Sequence, residues 1–391
     1  MDFTLNWALV SDGKTISSGK NTLDDFAAST EKTIALFKDQ KFDDEEVFLN
    51  IEITNTKPYG LLPANHIYAS EQIIIEEANT NGPNMASQKI SYEDTDSQYL
   101  INGSNFNMVF DKTSGQLISW KFNGEEQLQA PAEINLWRAP TDNDYGNNAD
   151  ERLLVWKDIQ SKLEVSSIKI KEVDNDNLVV DINYKLQGKN IKGSAEISQS
   201  FAVNGNGTIK LTQSIHSISK KLPIIPRFGW NLILKKDYEE LSWFGRGPFE
   251  NYWDRKTAAF VGNYNSTVTN QYVDYIRPQE NGHKTDVRWM QLSSPTSKIT
   301  VIGKPIFEFN VHHNMTSDFE SLGRTDGREQ KGQKVINRHS SDIQPQNLTS
   351  LHIDYKQMGV GGDNSWGAKT HPEYTLNEKS YSFSIWLFIN N

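Results

Sequence analysis

From about residue 90 almost to its end the sequence repeats one rhythm: a short run of alternating apolar and polar residues, a turn, then another such run. Asn107-Met108-Val109-Phe110, the turn Asp111-Lys112-Thr113-Ser114-Gly115, the run Gln116 to Phe122 and then Asn123-Gly124 show the pattern. Period-two alternation sends every second side chain to the same face, and Gly, Asn and Asp supply the backbone angles a reversal needs, so these runs read as antiparallel hairpins. No strand–helix–strand alternation and no fixed-period repeat interrupts them. One stretch, about Asp150 to Ile159, has helical spacing, with Leu153, Leu154 and Trp156 as its apolar face. The expected fold class is all-β.

The first 80 residues carry the same signals. Trp7-Ala8-Leu9-Val10 leads through Ser11-Asp12-Gly13-Lys14 into Thr15-Ile16-Ser17, Val47 to Thr54 alternates at period two, and Gln72 to Glu76 is β-branched. An immunoglobulin-like β-sandwich fits residues 1–80. A polar stretch punctuated by Gly82-Pro83 follows, so a linker is expected at 81–89 and a large antiparallel domain at 90–391. A chain of 391 residues outgrows one ordinary core, and 10 Trp, 14 Tyr and 18 Phe furnish apolar surface for two.

Charge excludes some partners. The net −10 is concentrated in residues 1–80, where 14 acids face 6 lysines, and the remainder is nearly balanced. No basic face for nucleic acid results, and no apolar run approaches membrane-spanning length. The opening Met1-Asp2-Phe3-Thr4 lacks a signal-peptide pattern, and a start inside a sandwich domain leads to the expectation of a piece of a longer chain. With no cysteine, disulfides and thiolate chemistry are excluded, and cytoplasm and periplasm both stay open.

Three long stretches resemble the C-terminal domain of glycoside hydrolase family 2 β-galactosidases. They are Asn135-Leu136-Trp137-Arg138-Ala139-Pro140-Thr141-Asp142-Asn143-Asp144-Tyr145-Gly146; Trp243 to Thr257, continuing through Tyr275 to Gly282 and Thr285 to Trp289; and His352 to Trp366. Residues 1–80 are similar to the sandwich that precedes this domain. The resemblance implies a galactose mutarotase-like supersandwich for the large domain, and an upstream (β/α)8 barrel that holds the retaining pair of glutamates. On that reading no catalytic residue lies in this chain. It also implies a β-galactoside as ligand, bound together with the barrel, with room for a homo-oligomer and for a divalent cation (Ca or Mg) in the parent protein. No cofactor or metal is assigned to this chain.

The chemistry of the residues is consistent with that. Glu250 and Asp254 are the best local carboxylate pair for glycoside hydrolysis, but Arg246 and Arg255 flank them, and an ion-paired corner is the plainer reading. Glu280 is expected to brace its turn through backbone hydrogen bonds, with Gly282 at a special backbone angle. Asp142, Asp144, Asn148 and Asp150 look like a calcium loop, yet Gly146 falls one position early and no Glu closes it. His312, His313 and His352 lack further ligands at useful spacing. Arg138, Asp142, Asn143, Asp144, Arg246, Glu250, Asn251, Asp254, Arg255, Glu280 and Asn281 are therefore structural motif residues.

The remaining candidate is Trp366. Gly361-Gly362 would let the chain turn sharply, Asp363, Asn364 and Ser365 would fix the turn, and the indole would project from a loop. Without the motif a core position is the default for a tryptophan. The resemblance implies instead a platform against which a sugar packs its C–H face. Relatives often carry two consecutive acids before Ser-Trp, where this chain has Asn364. Two further classes of function stay open: a stand-alone mutarotase-like aldose epimerase, and a carbohydrate-binding module.

Overall fold

The computed structural model describes residues 2–23, 29–37, 42, 46–77, 82–83, 87–188, 191–320, 337, 339–364 and 366–391. Strands Phe3–Ser11 and Lys14–Leu23 form the first hairpin. Ser11 pairs with Lys14, which leaves Asp12 (φ 48°) and Gly13 (φ 74°) as a two-residue turn. Left-handed angles at both positions match the twist of the flanking strands, as the Asp-Gly pair suggests. Val47–Asn55 pairs with Phe3–Ser11, and Ile67–Glu76 pairs with Val47–Asn55, completing a four-stranded antiparallel sheet. Leu9, Val47 and Leu49 are its buried centre, with Trp7, Leu36, Phe37 and Phe42 packed against them.

Of the expected linker 81–89, residues 81 and 84–86 lie outside the described residues, and strand pairing resumes at Ser91. Five strands, Ser91–Asp94, Gln98–Asn102, Phe106–Asp111, Leu117–Phe122 and Glu125–Glu126, make an antiparallel meander. It lies on a twelve-stranded antiparallel sheet, and the two share one core. Phe110 of the meander meets Phe201 edge to face at 5.0 Å, and Phe201 meets Trp230 at 5.8 Å. Alternation does the sorting: Phe106–Asp111 and Ile209–His216 bury every second residue. The chain is all-β, as its rhythm predicts.

The helical expectation is corrected. Asp150 to Ile159 is not one helix but parts of Ala149–Arg152, a 3-10 turn Leu154–Trp156 and the start of another at Ile159–Lys162. Helical geometry ends at Leu153 (φ −100°, ψ 1°), and after the next turn the chain becomes extended at Lys157 (ψ 142°) and left-handed at Asp158 (φ 50°). Leu153 and Trp156 are buried, while Leu154 is exposed.

Three strands in the middle of the large sheet, Arg227–Leu234, Thr349–Gln357 and Lys298–His312, are buried on both faces over much of their length. One face carries Trp230, Ile353 and Phe309 into the shared core. The other carries polar residues in cross-strand rows: Asn231, His352 and Asn310 in one, Gly229, Asp354 and Glu308 in the next. Such a face needs a polar lid. The segment from Tyr275 to Lys284 provides it.

Contacts join the four-stranded sheet to the rest. Phe48 packs with Phe244, Val261 and Trp289. Gln72 accepts from the Val261 amide (2.7 Å) and donates to its carbonyl (3.0 Å), and Arg288 Nε donates to Glu46 at 2.8 Å.

Candidate functional site

The loop after Thr349–Gln357 is built by all three motif stretches. Arg138, buried and ion-paired with Asp144 at 2.8 Å, donates to the carbonyls of Met358 (2.7 Å) and Gly359 (3.2 Å). Asn143 Nδ2 donates to the Val360 carbonyl at 3.0 Å. Both depend on the short helix Asp142–Gly146, which forms because Thr141 and Asp144 cap each other's backbone amides. From the second stretch, the Asp254 carboxylate accepts the amides of Val360 (3.1 Å) and Gly361 (2.7 Å).

The glycines fit this, though not as a flexible hinge. A Cβ on Gly359 would lie 2.5 Å from the Asp254 carboxylate, and one on Gly362 would lie 2.6 Å from the Ala368 carbonyl oxygen. The left-handed position is Gly367 (φ 97°), which rests against Gly146. Asn364 Oδ1 accepts the Trp366 amide at 2.8 Å and fixes the turn. Asp363 instead pairs with His371 at 2.8 Å, and that contact holds the imidazole above its usual range. Ser365 lies outside the described residues. The Trp366 side chain stands clear of the core at 94% exposed. Ile276, 89% exposed, precedes Arg277, whose guanidinium lies 4.1 Å over the ring of Tyr145 on the same short helix.

The carboxylates nominated as an acid–nucleophile pair are engaged separately. Glu250 is ion-paired with Arg255 at 2.6 Å, accepts from the Tyr275 hydroxyl and takes the Gly282 amide at 2.8 Å. Asp254 spends its oxygens on the loop and Arg246 pairs with Asp286 at 2.5 Å, so among the described residues the ion pair between the flanking arginines and the two carboxylates is Arg255 with Glu250. Asn251 accepts from both the amide (2.9 Å) and the hydroxyl (2.6 Å) of Thr285.

Glu280 differs from expectation. It accepts side-chain amides, Asn310 at 3.0 Å and Gln357 at 3.4 Å, instead of bracing its turn through the backbone. Gly282 does take the special angle (φ 79°). Asn281 holds the turn, accepting the Val273 amide at 3.0 Å and offering its carbonyl to His312 at 2.9 Å.

The polar layer beneath that turn was missed in the sequence. Arg227, fully buried, donates to Asp354 from Nε (2.9 Å) and Nη2 (2.6 Å) and to Asn310 (2.7 Å). Gly229 makes room, since a Cβ there would sit 2.0 Å from Asp354 Oδ1. His283 Nε2 lies 2.9 Å from Glu308. Burial pushes Glu280 up to about 7 and Glu308 up to about 8, and pulls His283 down to about 3 and Lys284 down to about 8. These residues are scattered over four strands and a loop, and only the polar members of otherwise apolar strands signal them.

A divalent cation does not fit the suspected loop. Asp144 is committed to Arg138 and the Thr141 amide, and Asp142 to Gln279 and Arg277. Among the described residues no group of three or more His, Asp or Glu is placed to hold a metal.

Stacked antiparallel sheets with a braced loop and a bare indole put the chain among the multi-sheet β-proteins. Residues 102–387 match the family described as beta galactosidase small chain, and residues 1–76 match beta-galactosidase, domain 4. The chain belongs to the β-galactosidase small-chain family. It is 30% identical over 375 residues to a β-galactosidase of Priestia megaterium, covering 95% of this chain and 34% of that protein. A Pseudoalteromonas haloplanktis β-galactosidase is 28% identical over 399 residues, with 98% and 36% covered. The chain thus spans about a third of the length of these relatives. Among solved structures, a galactose mutarotase-like protein from Lactobacillus casei aligns over 75% of this chain and 100% of its own, at 10% identity and a TM-score of 0.39.

Proposed function

We propose that this chain is the C-terminal, non-catalytic region of a retaining β-galactosidase, divided into a sandwich at 1–80, a linker at 81–89 and the small-chain domain at 90–391. In this reading it hydrolyses nothing by itself. The acid and nucleophile, two carboxyl groups about 5–5.5 Å apart on a rigid scaffold, come from an upstream barrel. Trp366 is lent to that site as an apolar plate for terminal β-D-galactose, as in lactose. The separate engagement of Glu250 and Asp254 supports the first part.

The observation that carries the second is the exposed indole on a loop tied down by Arg138, Asn143 and Asp254. A bare indole is costly in water unless something covers it, and a fixed loop loses little entropy when it is covered. The parent is assigned no divalent ion through these residues.

The test is hydrolysis of a nitrophenyl β-galactoside by the isolated chain and by the same chain joined to the upstream two-thirds of its parent. Activity only in the joined protein is expected. Cleavage by the isolated chain overturns the reading.

A further inference from the structure

The stacked sheets of the large domain have a concavity at the end away from the Trp366 loop. It is a cavity of about 290 Å³ where the meander meets the large sheet, lined among others by Asn105, Phe122, Asn206, Thr208, Phe388 and Asn390. Strand pairing gives its separation from the loop. Lys298 pairs with Asn390 at this end and Glu308 pairs with Asp354 near the loop end of the same long strand. The strand is bulged between Ile302 and Phe307, where five of its residues face two of its neighbour, so about seven rises of about 3.3 Å put the two places roughly 20 Å apart.

We propose that this cavity binds a neutral polyhydroxylated ligand the size of one sugar ring. None of the lining side chains carries a charge, which disfavours phosphorylated or acidic ligands that would arrive without a counter-charge. The polar groups are carboxamides and a hydroxyl, which donate and accept in the alternating manner that sugar hydroxyls require. The carboxamides of Asn105 and Asn390 make no hydrogen bond to protein among the described residues, so both are available to a ligand.

One wall is preorganised. Asn204 Oδ1 accepts the Asn206 amide (3.1 Å) and Asn206 Oδ1 accepts the Thr208 amide (2.9 Å), two successive side-chain turns closed by Gly207 at φ 87°. That leaves the Asn206 NH2 group to donate outward. Phe388, only partly buried, supplies aromatic surface for the C–H face of a ring, while Phe122 belongs to the core behind it. The volume lies near the lower end of small-molecule sites, about 300–1,000 Å³, and suits a single ring.

The site does not depend on the Trp366 reading, and the experiment separates them. The full chain carrying Trp366→Ala is titrated calorimetrically with galactose, glucose and glucose 6-phosphate. Saturable binding of a neutral sugar is expected. It should weaken about tenfold or more when Asn105→Ala and Asn390→Ala are added, with unchanged thermal unfolding because neither side chain supports the fold. Three results overturn the proposal: no saturable binding, an affinity indifferent to the two asparagines, or tighter binding of the phosphate. Sugar binding that is present in the wild type and lost with Trp366→Ala alone assigns the affinity to the loop and likewise overturns it.

Discussion

The carboxylate of Asp254 accepts the amide of Gly361 at 2.7 Å, across 107 positions of sequence. This contact ties the Glu-Asn-Tyr-Trp-Asp-Arg corner to the loop that presents Trp366, and it explains why Gly359 has no side chain: a Cβ would strike the same carboxylate. Two charge-assisted bonds of this kind are worth about 1.5–3 kcal/mol each. Asp254→Ala is expected to speed amide exchange at Val360 and Gly361, and Gly359→Ala to do the same by displacing the carboxylate. Hydrogen-exchange mass spectrometry of the loop checks both, and undiminished protection in either variant would contradict the bracing role.

Arg227 and Asp354 are each wholly buried, so neither tolerates loss of the other. Arg227→Ala leaves Asp354 in the interior without its main partner and Glu280 without the nearest positive charge, 3.9 Å away. A destabilisation of about 3–5 kcal/mol is expected, read as a lowered urea midpoint.

The buried carboxyls make stability fall with rising pH over a defined window. Glu280 and Glu308 stay protonated in the fold up to about 7 and about 8, against an ordinary 4.5. Between those limits the folded state holds protons the unfolded chain has released, and raising the pH costs stability. His283 and His312, held down to about 3 and about 4 against 6.5, act the other way, because there the unfolded chain binds the extra proton. The effects oppose below pH 6.5; above it the two carboxyls lower stability as the pH rises, and Lys284, held down to about 8, begins to oppose them only as the pH nears 8. Urea midpoints are therefore expected to drop from pH 6.5 to pH 8, and to drop less in Glu308→Gln. Equal drops would remove Glu308 as the cause.

Arg288 lies between the two parts of the chain, ion-paired with Glu46 and with its guanidinium 5.5 Å over the ring of Phe48. Arg288→Ala strips a largely buried carboxylate of its partner and should loosen the four-stranded sheet by about 1–3 kcal/mol. Thermal unfolding is expected to split into two transitions, the first belonging to residues 1–76.

Much of this architecture was legible because it is local. Asp12-Gly13 and Asn123-Gly124 signal their turns, and alternation in Phe106–Asp111 sorts core from surface without reference to any partner. The illegible parts depend on distant contacts. Nothing in Arg227 announces that Asp354 faces it, since the two meet only through the pairing of their strands. The helical spacing at 150–159 misled because a pattern of apolar residues does not reveal the extended Lys157 and left-handed Asp158 within it. At the loop, the sequence pointed to Gly361-Gly362 as the hinge, whereas close approach to Asp254 and Ala368 is what those positions and Gly359 serve.

The most direct measurement is steady-state β-galactoside hydrolysis by the longer protein of the proposed reading, carrying Trp366→Ala, paired with its unfolding midpoint. Loss of one aromatic platform should weaken substrate binding by about 1–3 kcal/mol, a rise in KM of about 5- to 150-fold, and the midpoint should hold because the indole is outside the core. An unchanged KM with a lowered midpoint would contradict it.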